Sequence, residues 1–147
     1  MARYWVGTSG WNYKHWIGLF YPKDLPSTRW FAFYASQFST VEINYTHYQE
    51  AKPKTYDNWR ESAPGGFRFA VKAHRFLTHR KRLADADDSL DRVIKGARRL
   101  EDHLGPILYQ LPPQFRRNEE QAERLEPALL PVLHEDPGLK AGSTPRL

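Results

Sequence analysis

Residues 40–47 read Thr-Val-Glu-Ile-Asn-Tyr-Thr-His. Side chains of a strand point alternately to its two faces. The stretch therefore predicts a strand over 40–45, with Val41, Ile43 and Tyr45 on one face and Glu42 and Asn44 on the other. The same alternation recurs twice. In 67–72, Phe67, Phe69 and Val71 oppose Arg68, Ala70 and Lys72, and in 106–111, Ile107 and Tyr109 oppose Leu108 and Gln110. A shorter β-rich run, 4–8, precedes them and ends at a Ser-Gly turn.

Helical patterns separate the strands. Ser27 is placed as the N-cap of a helix over 28–38, with Trp30, Phe31, Tyr34 and Phe38 at helical spacing. Pro53 opens a second helix carrying Tyr56 and Trp59, and Pro64-Gly65-Gly66 stops it. A third starts at Asp88-Ser89, buries Leu90, Val93, Ile94, Ala97 and Leu100, and is capped by Gly105. A fourth is predicted from Asn118 through Leu125. The polar stretch 134–147, rich in Gly and Pro, is predicted to be an unstructured tail behind a domain over 1–133.

The order βαβαβαβα implies an α/β fold with parallel strands joined by right-handed crossovers. Four units make an open sheet or half of a closed barrel, since a full (β/α)8 barrel takes about 250 residues. The 147-residue chain has room for one domain.

Several function classes drop out. There is no cysteine, so disulfides and thiolate metal sites are excluded, and a cytoplasmic location is expected. No apolar run approaches the ~20 residues of a membrane span, so no membrane partner is expected. Residues 7–10, Gly-Thr-Ser-Gly, lack the spacing of a dinucleotide fingerprint. The net charge of +5 comes from 22 Lys and Arg against 17 Asp and Glu, and much of the excess lies in 74–82. It suits anionic partners, either phosphorylated metabolites or nucleic acid, and equally suits a plain solvated loop.

With the aromatic faces turned to the helices, Glu42, Asn44, Lys72 and Gln110 share the opposite face near the strand C-termini, where both kinds of α/β fold place their sites. A carboxylate withdrawn from water must be paired or lose its charge. Glu42 is thus the candidate acid/base and Lys72 the candidate ligand for an anion or oxyanion. A Glu42–Lys72 ion pair that merely satisfies two polar groups is the competing reading. Asn44 and Gln110 would orient a substrate, and Ser9 lies at the end of the first strand. Trp11, with Tyr13 and Trp16, could stack on a sugar or base or plug the barrel end. Of six histidines, none has the spacing of a zinc protease, and His79 with Arg75 and Lys72 suits a phosphate better than a metal. No cofactor is expected. His103 is read as a helix-end cation.

The motifs at 7–11 (Gly-Thr-Ser-Gly-Trp), 20–22 (Phe-Tyr-Pro), 41–46 (Val-Glu-Ile-Asn-Tyr-Thr) with Tyr48, 67–72 (Phe-Arg-Phe-Ala-Val-Lys), 78–79 (Thr-His) and 104–113 (Leu-Gly-Pro-Ile-Leu-Tyr-Gln-Leu-Pro-Pro) occur together and in order. Over about residues 3–130 the chain resembles the family called domain of unknown function 72 (YecE-like). The resemblance implies a TIM-type (β/α)8 barrel and supplies no established chemistry. It also implies a fifth strand with an acidic, basic and aromatic motif, which nothing after Leu133 matches. The chain is therefore expected to be the first four βα units of a truncated barrel, inactive alone. An isomerase or hydrolase acting on a small anionic, phosphorylated or sugar-like substrate is the expected class for the whole barrel. Nucleic-acid binding through the basic 74–82 loop is the alternative. Open sheet edges would favour self-association.

Overall fold

The computed structural model describes residues 4–82, 87–114 and 119. Four strands, β1 (Gly7–Ser9), β2 (Thr40–Ile43), β3 (Arg68–Lys72) and β4 (Leu104–Leu108), form one sheet in the order β1-β2-β3-β4. Every neighbouring pair is parallel. The connections carry α1 (Trp30–Gln37), a single turn α2 (Tyr45–Tyr48), α3 (Pro53–Ser62), a π-helical turn at Phe76–Arg80 and α4 (Asp87–Arg98). This is an α/β fold with a four-strand parallel sheet. No helix among the described residues is long and apolar enough to cross a membrane.

The alternation in the sequence decides which face is covered. Val41, Ile43, Phe67, Phe69 and Val71 are buried against Tyr34 of α1, Tyr56 of α3, Ala97 of α4 and Leu100 just beyond α4. Phe31 stacks on Phe69 at 5.6 Å between ring centres. Each such side chain removed from water contributes about 1.5–3 kcal/mol, so this one-sided core is what holds the helices on the sheet. Leu90, Leu77 and Ala73 form a second, smaller cluster at the β3 end, joined by Tyr109.

Two devices fix β1 on β2. At Gly7 a Cβ would stand 2.1 Å from the Thr40 carbonyl oxygen, so only glycine permits the approach. Tyr34 Oη accepts the Thr8 N–H at 2.9 Å and donates to the Thr40 carbonyl at 3.0 Å, tying both strands to α1.

Several boundaries differ from expectation. The first strand is not 4–8 but Gly7–Ser9, and Tyr4, Trp5 and Val6 are exposed. The second ends at Ile43, because Asn44 takes helical angles (φ −81°, ψ −23°) and starts α2; Tyr45 is exposed and does not share the face of Val41 and Ile43. Ser27 makes no side-chain cap and lies inside a 3-10 turn, Ser27–Arg29. The fourth strand is Leu104–Leu108, not 106–111, so Gly105 is a strand residue rather than a helix cap. Phe69 pairs with Leu104 but Val71 pairs with Ile107, so one extra residue is taken up at Gly105-Pro106. The predicted fourth helix and the tail over 134–147 fall outside the described residues, apart from Glu119, which is helical.

Candidate active site

Parallel register places Ser9 beside Glu42 and Glu42 beside Ala70 on the face away from the helices. Lys72 is two residues further along β3, and the small Ala70 leaves room between them. Glu42 Oε1 accepts the Ser9 hydroxyl proton at 2.6 Å and faces Lys72 Nζ at 3.6 Å. Asn44, at the turn out of β2, donates its Nδ2–H to Ser9 Oγ at 2.7 Å. The result is a directional chain, Asn44 to Ser9 to Glu42, closed by the lysine. Side-chain exposure of 23% at Glu42 and 15% at Lys72 leaves the pair partly open to solvent, where a ligand can reach it. The backbone around it is also tied down. Gly10 N–H donates to the Glu42 carbonyl at 2.8 Å, and Tyr13 Oη donates to the Ser9 carbonyl at 2.6 Å.

The one-turn helix α2 clamps the end of β3. Thr46 Oγ1 donates to the Lys72 carbonyl at 2.7 Å. His47 Nδ1 lies 2.9 Å from the Ala73 carbonyl, which only accepts, so Nδ1 carries the proton and Nε2 is the basic nitrogen of the neutral ring. Burial holds His47 below the usual histidine range; the bond to Ala73 opposes this, and the neighbouring Lys72, His79 and His74 reinforce it. Its ring meets His79 edge-on at 5.5 Å. Beside the clamp, a cavity of about 200 Å³ opens at the end of β3, with Thr46, Glu50, Lys72, His74 and Arg92 among its walls.

Of the residues singled out in the sequence, Ser9, Glu42, Asn44 and Lys72 are brought together. His79 stands in the π-helical turn, exposed, with Nδ1 2.9 Å from Thr78 Oγ1. Trp11 does not join the cluster: its ring packs edge-on against Phe31 at 5.2 Å and Trp59 at 6.2 Å, on the helix side. Gln110 is exposed two residues beyond the end of β4, and no hydrogen bond links it to the others. His103 Nδ1 bonds the Phe67 carbonyl at 2.9 Å, a purely local role. Thr46 and His47 were not legible as site residues. The signal available was the Asn44 that ends the period-two pattern.

A family model described as "Protein of unknown function DUF72" matches residues 5–136. The chain belongs to the DUF72 family. The DUF72 family protein from Thermotoga maritima is similar at 28% identity with a TM-score of 0.70, covering 83% of this chain and 49% of that one. Two structures of a DUF72 family protein from Enterococcus faecalis, both 19% identical, share the fold with TM-scores of 0.54 and 0.62. They cover 72% and 90% of this chain against 43% and 46% of theirs. This DUF72 chain thus spans about half the length of the solved relatives it matches. No curated protein matches it significantly.

Among the described residues no group of three or more His, Asp and Glu side chains is placed to hold a metal ion.

Proposed function

We propose that this chain supplies the first four βα units of a (β/α)8 barrel whose site works by acid/base chemistry on a small anionic substrate, phosphorylated or sugar-like. Glu42 is the proton carrier. Ser9 and Asn44 hold its carboxylate in one orientation, and Lys72 takes negative charge that develops on the substrate. The observation that carries this reading is the shared Oε1 of Glu42, 2.6 Å from the Ser9 hydroxyl and 3.6 Å from the Lys72 ammonium at the C-terminal ends of adjacent strands. Consecutive strand order and one-sided helix packing support the barrel, as does the half-length match to longer relatives.

The test is a screen of this chain and of the longer Thermotoga maritima relative against phosphorylated and carboxylated sugars, with product formation and solvent proton exchange followed by NMR. Replacing Glu42 by Gln is expected to lower turnover by about 10²–10⁴-fold with little change in thermal midpoint. Unchanged turnover, or a loss matched by unfolding, would overturn the assignment.

A further inference from the structure

The buried histidine has no part in the acid/base chain, yet it sits where cations converge. His47 belongs to α2; the His79 ring meets it edge-on from the π-helical turn, and Lys72 and His74, at the end of β3 and just beyond it, act on it electrostatically. Arg75 stands over the Tyr48 ring at 5.7 Å, adding a further positive group to the rim. The carboxylates nearby are already engaged. Glu42 is bound to Ser9 and Lys72, and Glu50 pairs with Arg92 at 3.4 Å. Lysine and imidazole donors gathered this way suit an anion rather than a cation. The two imidazoles are also pre-oriented. His47 is fixed through Nδ1 on Ala73 and His79 through Nδ1 beside Thr78, so the Nε2 of each ring is the nitrogen left for a ligand.

We infer that His47 and His79, with Lys72 between the two loops, form an oxyanion subsite next to Glu42 that takes the phosphate group of a phosphate monoester and tightens as the histidines take up protons. The inference rests on the acid/base reading above for the position of the reacting part of the substrate. It adds the group that would be held and the residues that would hold it. A dianion placed there attracts Lys72 and any second proton on either imidazole, so binding and protonation of the ring Nε2 atoms favour each other. Burial holds His47 below the usual histidine range, and an anion beside its Nε2 would act in the opposite direction.

Inorganic sulfate is the probe, because it remains dianionic across the range used and does not titrate itself. It is titrated into the full chain at constant ionic strength, against chloride, while the imidazole resonances of His47 and His79 are followed by NMR from pH 8 to pH 5.5. Each pKa unit gained on binding is a tenfold gain in affinity. The expected result is at least about tenfold tighter sulfate binding at pH 5.5 than at pH 8, with both histidines titrating at higher pH when sulfate is bound. His47→Asn keeps an N–H donor for the Ala73 carbonyl and cannot be protonated. It and the exposed-site change His79→Gln are each expected to reduce the pH dependence clearly. Should His47→Asn fail to fold, His79→Gln alone carries the test. Glu42→Gln is expected to retain or strengthen sulfate binding, since it removes a negative neighbour of Lys72. Resonances of His47 and His79 that do not respond to sulfate, or an unchanged pH dependence in His79→Gln, would overturn the subsite and leave the acid/base reading standing. Sulfate binding as expected, with turnover indifferent to Glu42→Gln, would overturn that reading and leave the subsite standing.

Discussion

Tyr34→Phe removes one oxygen from the joint between β1, β2 and α1. The ring itself is held by packing, 5.0 Å from Phe38 and 6.1 Å from Phe20, and phenylalanine fills the same space. The hydroxyl accepts the Thr8 N–H at 2.9 Å and donates to the Thr40 carbonyl at 3.0 Å. Each bond contributes about 0.5–1.5 kcal/mol net, and a buried polar group left unpaired costs about 1–3 kcal/mol. Thr8 and Thr40 are only partly buried, so water can recover some of this, and the expected loss is about 2–4 kcal/mol. For a domain of this size that lowers the thermal midpoint by roughly 6–15 °C. Urea unfolding followed by far-ultraviolet circular dichroism checks it, with the m-value expected to stay constant because no surface is newly exposed. Amide exchange at Ser9 and Gly10 is expected to quicken, since they follow Thr8 directly. A loss below about 0.5 kcal/mol would show that β1 is held by its ladder and by Gly7 alone, and that Ser9 does not depend on α1 for its place.

Three other outcomes are expected. The Tyr109 hydroxyl is buried without a partner among the described residues, and burial pushes its pKa up to about 12; Tyr109→Phe is expected to stabilise the chain by about 1 kcal/mol, and a loss of stability in denaturant titration would contradict that. The folded-state pKa of His47 lies below its ordinary 6.5, so the unfolded chain binds more protons below that pH. Its contribution to stability is therefore complete above about pH 6.5 and declines on acidification, by at most about 1.4 kcal/mol per pH unit, until the folded-state pKa is passed; equal slopes in wild type and His47→Asn between pH 6.5 and 5 would refute the assignment. Among the described residues β1 and β4 each keep one unpaired edge, so the isolated chain is expected to self-associate at micromolar concentration, and a monodisperse monomer by light scattering with a sharp thermal transition would contradict it.

The faces of the sheet were readable because burial of alternate residues is a local property. Val41, Ile43, Phe67, Phe69 and Val71 went to the helices as their period demanded. The meeting of Glu42 and Lys72 was readable for the same reason, since parallel strands entered from the same side bring equivalent positions level; Ser9, read as lying past a strand over 4–8, was not joined to them. The one-residue shift at Gly105-Pro106 was not readable, because a bulge is defined by the partner strand and leaves no pattern of its own. A four-residue helix such as α2 is shorter than two turns and shows no helical period, so Asn44 and Tyr45 read as strand. The direction of Trp11 depended on the path of the first loop, which turns its ring toward Phe31 and Trp59.

The polar face is not explained by stability. An ion pair as withdrawn from water as Glu42–Lys72 gains little net stability, because desolvation offsets the attraction, and apolar side chains of similar volume often do as well or better. Five surrounding residues nonetheless fix it in place. Ser9 and Asn44 orient the carboxylate, Gly10 holds the Glu42 carbonyl, and Thr46 and His47 pin the backbone at Lys72 and Ala73. Such restraint raises the entropic cost of folding at each residue involved and returns little through the pair itself. It does supply a charged pair held in one geometry at the open end of two strands, with a buried neutral histidine behind the lysine. A reacting group needs that kind of preorganisation, and a structural ion pair does not.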